Sequence, residues 1–384
     1  MPSRLQVMSM SPAKSSGNDP RPLVGVFVTN STVNSLLAGN ARPRLVTLNE
    51  QSQLLGVSLF VFAERNIDLQ KRKIAGLVYN PDVKKWVQRV FLFPDILYTR
   101  RGPGKKGSKA DKFVQAIAQI GIPQINSCSD FDKWDTYSRF RRYPELVSHL
   151  PETCLLTTVD QLKDMFARYQ SLYIKGTIGR HGRKVIRVDR RHRQYIASHL
   201  GKRLRVWRFS SIRGLLHKVR AVLNSKRLLA QQAVGCIQLA GGNVDFRAEV
   251  QRDGNGELGV TCIAGRVATP GAPVSSSRTG STVFTFADTL RRCSYSDTQI
   301  RSLEQAAETF LCNIFQCVEQ EYGSFGELGI DFIIDTDDKF WLLEVNAKSA
   351  MGAAGQAWDA ETIALLYRRP LEYARYLFES NSQP

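Results

Sequence analysis

Residues 326–349 read GELGIDFIIDTDDKFWLLEVNAKS, two apolar runs joined by an acidic turn. The runs are short, rich in β-formers and split by turn residues, which predicts a β-hairpin. Asp331 interrupts the first run, and Glu344 and Asn346 interrupt the second. A four-residue turn, Thr336 to Lys339, sets Asp335 against Phe340 and Asp331 directly opposite Glu344. Alternation then puts Asn346 on the face of Glu344, with Phe340 and Leu342, and puts Trp341, Leu343 and Val345 on the other face. Carboxylates opposed across a strand pair repel. A divalent cation reverses that sign, and hard oxygen ligands suit Mg²⁺, which takes one or two carboxylates plus substrate phosphates. Asp331, Glu344 and Asn346 are therefore candidate metal ligands. The competing reading is an edge hairpin whose acids are solvated.

The 384-residue chain is long enough for two or three cores. Residues 1–20 are polar and lack the apolar centre of a signal peptide, which predicts a flexible tail. No apolar run is long enough to span a bilayer, so a cytoplasmic protein with no membrane partner is expected. Seven scattered cysteines without a C-x-x-C pair point to reduced thiols. LVGVFVT (23–29), SLFVFAE (58–64), IAGLVYN (74–80) and DILYTR (95–100) read as buried strands. Helical stretches such as ADKFVQAIAQIG (110–121) alternate with them, which predicts an α/β layer domain over 21–130. The loop RRGPGKKGSK (100–109) fails as a P-loop because Ser108 stands where the lysine is required. Beyond residue 131 the order mixes strands, a hairpin turning at 253–256 and a long helix from Asp297. That helix carries a Ser296–Gln299 capping box and a closing Gly323.

Lys and Arg number 53 against 35 Asp and Glu, a net charge of +18. Between Arg180 and Arg227 stand sixteen Lys/Arg and one acid, Asp189. Such a field attracts phosphates, an acidic polymer or nucleic acid, unless it is only a solvated face. Two further groups could handle anions. In SLYIKGTIGRHGRKVIRV (171–188), Lys175 ends an apolar strand before a loop spaced by Gly176, Gly179 and Gly182. Such a loop lets backbone N–H groups approach phosphate oxygens while the lysine supplies a point charge. Arg247, Arg266 and Arg278, spread over a hairpin and its following loop, could clamp a phosphate or carboxylate in bidentate fashion.

The order of these parts resembles the ATP-grasp superfamily, most closely its YheC/YheD-like endospore coat-associated branch. The likeness rests on Lys133 opening a helix, Lys175 before a glycine loop, Gln231-Gln232-Ala233, a D-x-R, and GID…LEVN. PDILYTRR, FDKWDTY…PELVSHLPET and PLEYARYL extend it over nearly the whole chain from residue 22. The resemblance implies an α/β pre-ATP-grasp domain followed by an α+β ATP-grasp fold (131–384) of two subdomains. Residues 150–234 would form the basic lid. By the same likeness, Lys133, Lys175, Gly176, Gly179 and Gly182 would contact ATP phosphates. Gln231, Gln232, Ala233 and Val234 would line the adenine. Asp331, Glu344 and Asn346 would hold one or two Mg²⁺ ions, and Arg247, Arg266 and Arg278 would serve catalysis.

The implied activity joins a carboxylate to an amine or thiol through an acyl phosphate, with a small acidic molecule or acidic polymer as substrate. An alternative is a nucleotide-binding structural component of the endospore coat, without turnover, partnered by coat proteins. A nucleic-acid binder ranks below both. No base-reading motif is evident, and the basic density coincides with the ATP-gripping subdomain.

Overall fold

The computed structural model describes residues 21–40, 42–179, 184–201, 203–275, 280–349, 352 and 354–382. Gly182 and Arg278 therefore lie outside the described residues. Three six-stranded sheets organise the chain. The first contains β1 (Leu23–Phe27), β2 (Ser58–Phe62), β3 (Ile67–Asp68), β4 (Lys73–Asn80), β5 (Lys85–Leu92) and β6 (Ile96–Thr99). Its order is β3-β4-β2-β1-β6, with β5 hydrogen-bonded to β4. The strands β2, β1 and β6 run parallel. Strands buried on both faces need near-continuous apolar runs, which is what β1, β2 and β6 supply. Phe27, Phe60 and Phe62 pack with Phe113 of the helix Lys109–Gln119 on one face. Val24, Val26 and Val61 share the other face with Leu366, Leu371 and Ala374. The helix Ala360–Ser382 at the end of the chain thus returns to the first sheet.

The second sheet is antiparallel throughout and carries β7 (Thr153–Leu156), β8 (Ser171–Gly176), β9 (Val185–Arg191), β10 (Gln194–Leu200), β11 (Leu204–Phe209) and β12 (Leu228–Gln232). Its order is β11-β10-β9-β8-β12-β7. Leu172, Ile174, Ile186, Val188 and Ala197 form one face, covered by the helices Val159–Arg168 and Ile212–Leu223. The opposite face turns toward the third sheet at Lys175.

The third sheet holds β13 (Gln238–Leu239), β14 (Gly242–Arg252), β15 (Leu258–Val267), β16 (Thr282–Thr285), β17 (Glu327–Ile334) and β18 (Phe340–Asn346). It runs β16-β15-β14-β17-β18, with β13 on β14. The helix Asp297–Tyr322 lays Phe310, Ile314 and Phe315 against the even-numbered core residues Phe246, Ile330 and Phe332. Ser296 and Gln299 form its capping box, and Gly323 ends it at φ +88°. The odd-numbered residues of β14 and β17 face away from that helix, toward the other two sheets.

The β17–β18 hairpin corrects the expected register. Asp335 N–H donates to the Lys339 carbonyl at 3.0 Å, so the turn shrinks to Thr336–Asp338, with Asp338 left-handed at φ 60°. A three-residue loop with a left-handed last residue is a common hairpin connection. Asp335 favours it by accepting from the backbone N–H groups of Asp337 (2.9 Å) and Lys339 (3.0 Å). Ile334, not Asp335, pairs with Phe340, and Phe332 pairs with Leu342. Leu343 is then an extra residue, a β-bulge, and pairing resumes as Asp331 with Glu344. The expected carboxylate pair therefore exists, reached by two offsetting shifts. A bulge inverts the side-chain alternation. Phe340, Leu342 and Val345 consequently lie in the core, and Phe340 and Leu342 do not share the acids' face as expected.

Candidate functional site

The site lies in the cleft between the open face of the second sheet and the odd-numbered face of the third. Asp132 caps the helix Lys133–Phe140 by accepting from Trp134 and Asp135 N–H, which fixes Lys133 at the helix start. From there Lys133 Nζ donates to the Gly179 carbonyl at 2.8 Å and to Glu344 Oε1 at 2.9 Å. One ammonium thus spans the glycine loop and the edge strand β18. Lys175 projects from β8 into the same cleft and donates to Gln231 Oε1 at 2.6 Å. Gln231 in turn donates to Thr153 Oγ1 at 3.1 Å. Burial pulls the Lys175 ammonium down to about 8, against the opposing pull of Glu344 and with repulsion from Lys133 adding to the fall.

A pocket beside these groups is lined by Phe131, Tyr137, Leu150, Lys175, Gln231 and Leu342, among others. Its apolar walls and few polar groups match the form of a small-molecule site. Gln231 lines it, whereas Gln232, Ala233 and Val234 are not among its lining residues. Gly176 is buried at the end of β8, and Gly179 is the last residue described before Lys184.

On the third sheet, Asp331 is the centre of a buried ionic group. Arg247 Nη1 donates to its Oδ2 at 3.1 Å, Arg266 Nη2 to its Oδ1 at 2.9 Å, and Asn346 Nδ2 to its Oδ2 at 3.0 Å. Burial alone would raise the Asp331 carboxyl, but the two guanidiniums outweigh it and hold the group below the usual carboxylate range. Arg266 also pairs with Asp245, whose carboxyl burial pushes up to about 6 despite that arginine. Arg247 reaches Glu249 Oε1 at 3.2 Å as well.

Gly329 makes room for this arrangement. A Cβ there would sit 1.8 Å from Arg247 Nη2, so the glycine of the GID run is where the guanidinium lies flat on β17. Period two was the available signal, since Glu327, Gly329 and Asp331 occupy one face. The same reading would have found the fully buried Glu327, which forms an ion pair with Arg100 at the end of β6. Arg100 also donates to the Ser349 carbonyl at 2.7 Å. Asn126 seals the junction by accepting from Gly326 and Glu327 N–H at 3.0 and 3.2 Å. The first sheet is thereby tied to the strand that carries Asp331.

The donor set fits a hard cation in kind. Glu344 keeps 27% of its side chain exposed toward the cleft, and its present partner is already a cation, Lys133. Asn346 and Asp331 stand beside it on the same face. Asp331 differs in that both of its oxygens are taken by arginines, so its entry into a metal shell requires a guanidinium to withdraw. Among the described residues no cluster of three or more His, Cys, Asp or Glu side chains could hold a metal, and the seven cysteines are all free.

Two α+β units facing each other across a lysine-lined cleft, behind an α/β unit, define the class architecturally. The family described as YheC/D like ATP-grasp matches residues 121–377. This chain belongs to that family. It is 27% identical to the endospore coat-associated protein YheD of Bacillus subtilis, over 93% of this chain and 79% of that protein. It is 22% identical to YheC of the same organism, over 88% and 92%. Among solved structures, D-alanyl-alanine synthetase A from Vibrio cholerae superposes with a TM-score of 0.53 at 13% identity, covering 91% of this chain and 98% of the other. Carboxyaminoimidazole ribonucleotide synthase from Aspergillus clavatus, complexed with ATP, gives 0.53 at 13% identity over 93% and 79%. These likenesses bear out the expected fold, an α/β layer followed by an ATP-grasp unit. No helix among the described residues is long and apolar enough to cross a membrane.

Proposed function

We propose that this protein is an ATP- and Mg²⁺-dependent ligase that joins a carboxylate to an amine or thiol. The observation that supports it most is Lys133, whose ammonium bridges the glycine loop and Glu344 across the cleft, with Lys175 alongside. Phosphoryl transfer is mostly positioning and neutralisation of charge, which convergent lysines and arginines supply. In this reading residues 131–384 act as one gripping unit, and 150–234 close as the lid. Lys133 and Lys175 bind the phosphates, the loop bearing Gly176, Gly179 and Gly182 folds over them, and the Gln231–Val234 segment borders the base. Glu344, Asn346 and Asp331 would hold Mg²⁺, which when bound would neutralise phosphate charge and orient the γ-phosphate. Arg247 and Arg266, with Arg278 from the following loop, would steady the transferring group.

The substrate carboxylate oxygen attacks the γ-phosphorus and ADP leaves. The amine or thiol then attacks the acyl carbon of the resulting acyl phosphate, and inorganic phosphate leaves. The names of YheD and YheC motivate an endospore-coat setting for the reaction, with coat proteins as partners.

The test is release of ADP from Mg-ATP on addition of candidate acids and amines. Turnover lost in Glu344→Gln, with the parent's melting temperature, supports the reading. Mg-ATP binding undiminished in both Glu344→Gln and Asp331→Asn would overturn the metal assignment. Tight ATP binding without turnover for any substrate pair would instead favour a nucleotide-binding structural role.

A further inference from the structure

The face of the second sheet that carries Lys175 continues well past the nucleotide pocket. Register places Tyr173, Arg187, Ser198 and Val206 in one row across β8, β9, β10 and β11. Asp189, Ile196 and Arg208 form the next row, and Leu200 pairs with Leu204. The helices of the lid cover only the opposite face. Leu204 and Val206 accordingly remain 45% and 47% exposed. Arg203, Arg205 and Arg208 are exposed around them.

Among the described residues, β11 pairs only with β10. Its outer edge therefore offers backbone donors and acceptors, with Leu204, Val206 and Arg208 on one face and Arg205 on the other. Exposed edges of this kind are templates for an added strand.

We infer that β11 is a docking edge for an acidic, extended polypeptide that joins the sheet as a further strand. Its carboxylates would meet the arginine rim and its apolar residues would lie against Leu204 and Val206. Charge selects this occupant. The stretch from Arg180 to Arg227 has sixteen basic residues and one acid, so a second copy of the chain would be repelled. Nucleic acid suits the surface less well. Single strands bind on exposed aromatic platforms, whereas Tyr195, Trp207 and Phe209 are packed against the lid core. Three strand spacings, about 14 Å, separate β11 from β8 and Lys175. A strand added outside β11 lies one spacing further out, about 19 Å from β8, so it is the chain continuing beyond the docked stretch that would present carboxylates in the cleft. That last step rests on the ligase reading; the docking does not.

The experiment measures anisotropy of a labelled peptide of alternating Glu and Val with the full-length protein, without nucleotide. Three probes accompany it: the same peptide N-methylated at each Val, an alternating Lys/Val peptide, and a single-stranded DNA of equal charge. The Glu/Val peptide should bind. N-methylation should weaken it by about tenfold or more, the effect of losing one or two backbone hydrogen bonds. The Lys/Val peptide should not bind. Val206→Asp should weaken the Glu/Val peptide while leaving ATP affinity and the melting temperature at parent values. The inference is overturned by equal binding of the N-methylated peptide, which would mean adsorption by charge alone. Tighter binding of DNA, no effect of Val206→Asp, or no peptide binding would each overturn it too. Loss of peptide docking with ATP turnover intact would sink this inference and spare the ligase reading, and the converse result would do the reverse.

Discussion

The second and third sheets use arginine in opposite ways. On the third, Arg247 and Arg266 are nearly or largely buried, and each is paired with two carboxylates. On the second, Arg205 and Arg208 stand in solvent on an open strand. A buried guanidinium has a defined place because leaving it without its counter-charge is expensive. An exposed one contributes a field, screened by salt, and little stability. Position in the sheet, not residue type, decides which job an arginine does. Substitutions on the two sheets test that contrast.

Asp331→Asn should have the largest effect. Removing the shared counter-charge of two buried guanidiniums should lower stability by about 3–5 kcal/mol and abolish turnover, read by denaturant melts and ADP release. Glu344→Gln should separate the two properties. Its side chain is partly exposed, so melting should hardly change while turnover falls by about 100-fold or more, the scale of one lost electrostatic contact to developing charge. A parent-like rate in Glu344→Gln would end the comparison in its present form.

Gly329→Ala should come next. The added methyl must displace the Arg247 guanidinium, an overpacking worth about 1–3 kcal/mol. Turnover should drop by more than that stability loss alone would produce in a fully folded sample.

Lys175 supplies a pH test. Phosphate contact needs the ammonium, and with its affinity for the proton lowered to about 8 the free protein loses that charge as pH rises through 8. ATP affinity should be flat below pH 8 and weaken above it, by up to about tenfold per unit, with proton uptake on binding. Lys175→Arg should flatten the profile. The same shift has the opposite consequence for the empty protein: the unfolded chain binds more protons between about 8 and the ordinary lysine value, so Lys175 makes stability rise there. The smallest effect belongs to Arg205→Gln and Arg208→Gln, within about 0.5 kcal/mol in melts.

Much of the fold was legible because burial on two faces writes continuous apolar runs. β1, β2, β4 and β6 and the helix Asp297–Tyr322 fall where period and capping put them. β10 and β11 were not recognised, because in QYIASHL and LRVWRF the basic residues dilute a period-two pattern that only one covered face enforces. The facing of Asp331 and Glu344 was legible too, but the route to it was not. A turn one residue shorter and a bulge at Leu343 cancel, and local sequence does not announce either.

The sequence carried the ingredients: most of the strands, which two acids face one another, where the positive charge gathers, and the family. The tertiary structure alone decided their states. It showed Asp331 held by arginines from two other strands, Lys133 joining a loop to a distant edge strand, and Glu327 anchoring the first sheet through Arg100. The physical reason is range. Propensity and periodicity act over a few neighbouring residues, whereas burial and ion pairing depend on which distant strands the fold brings into register.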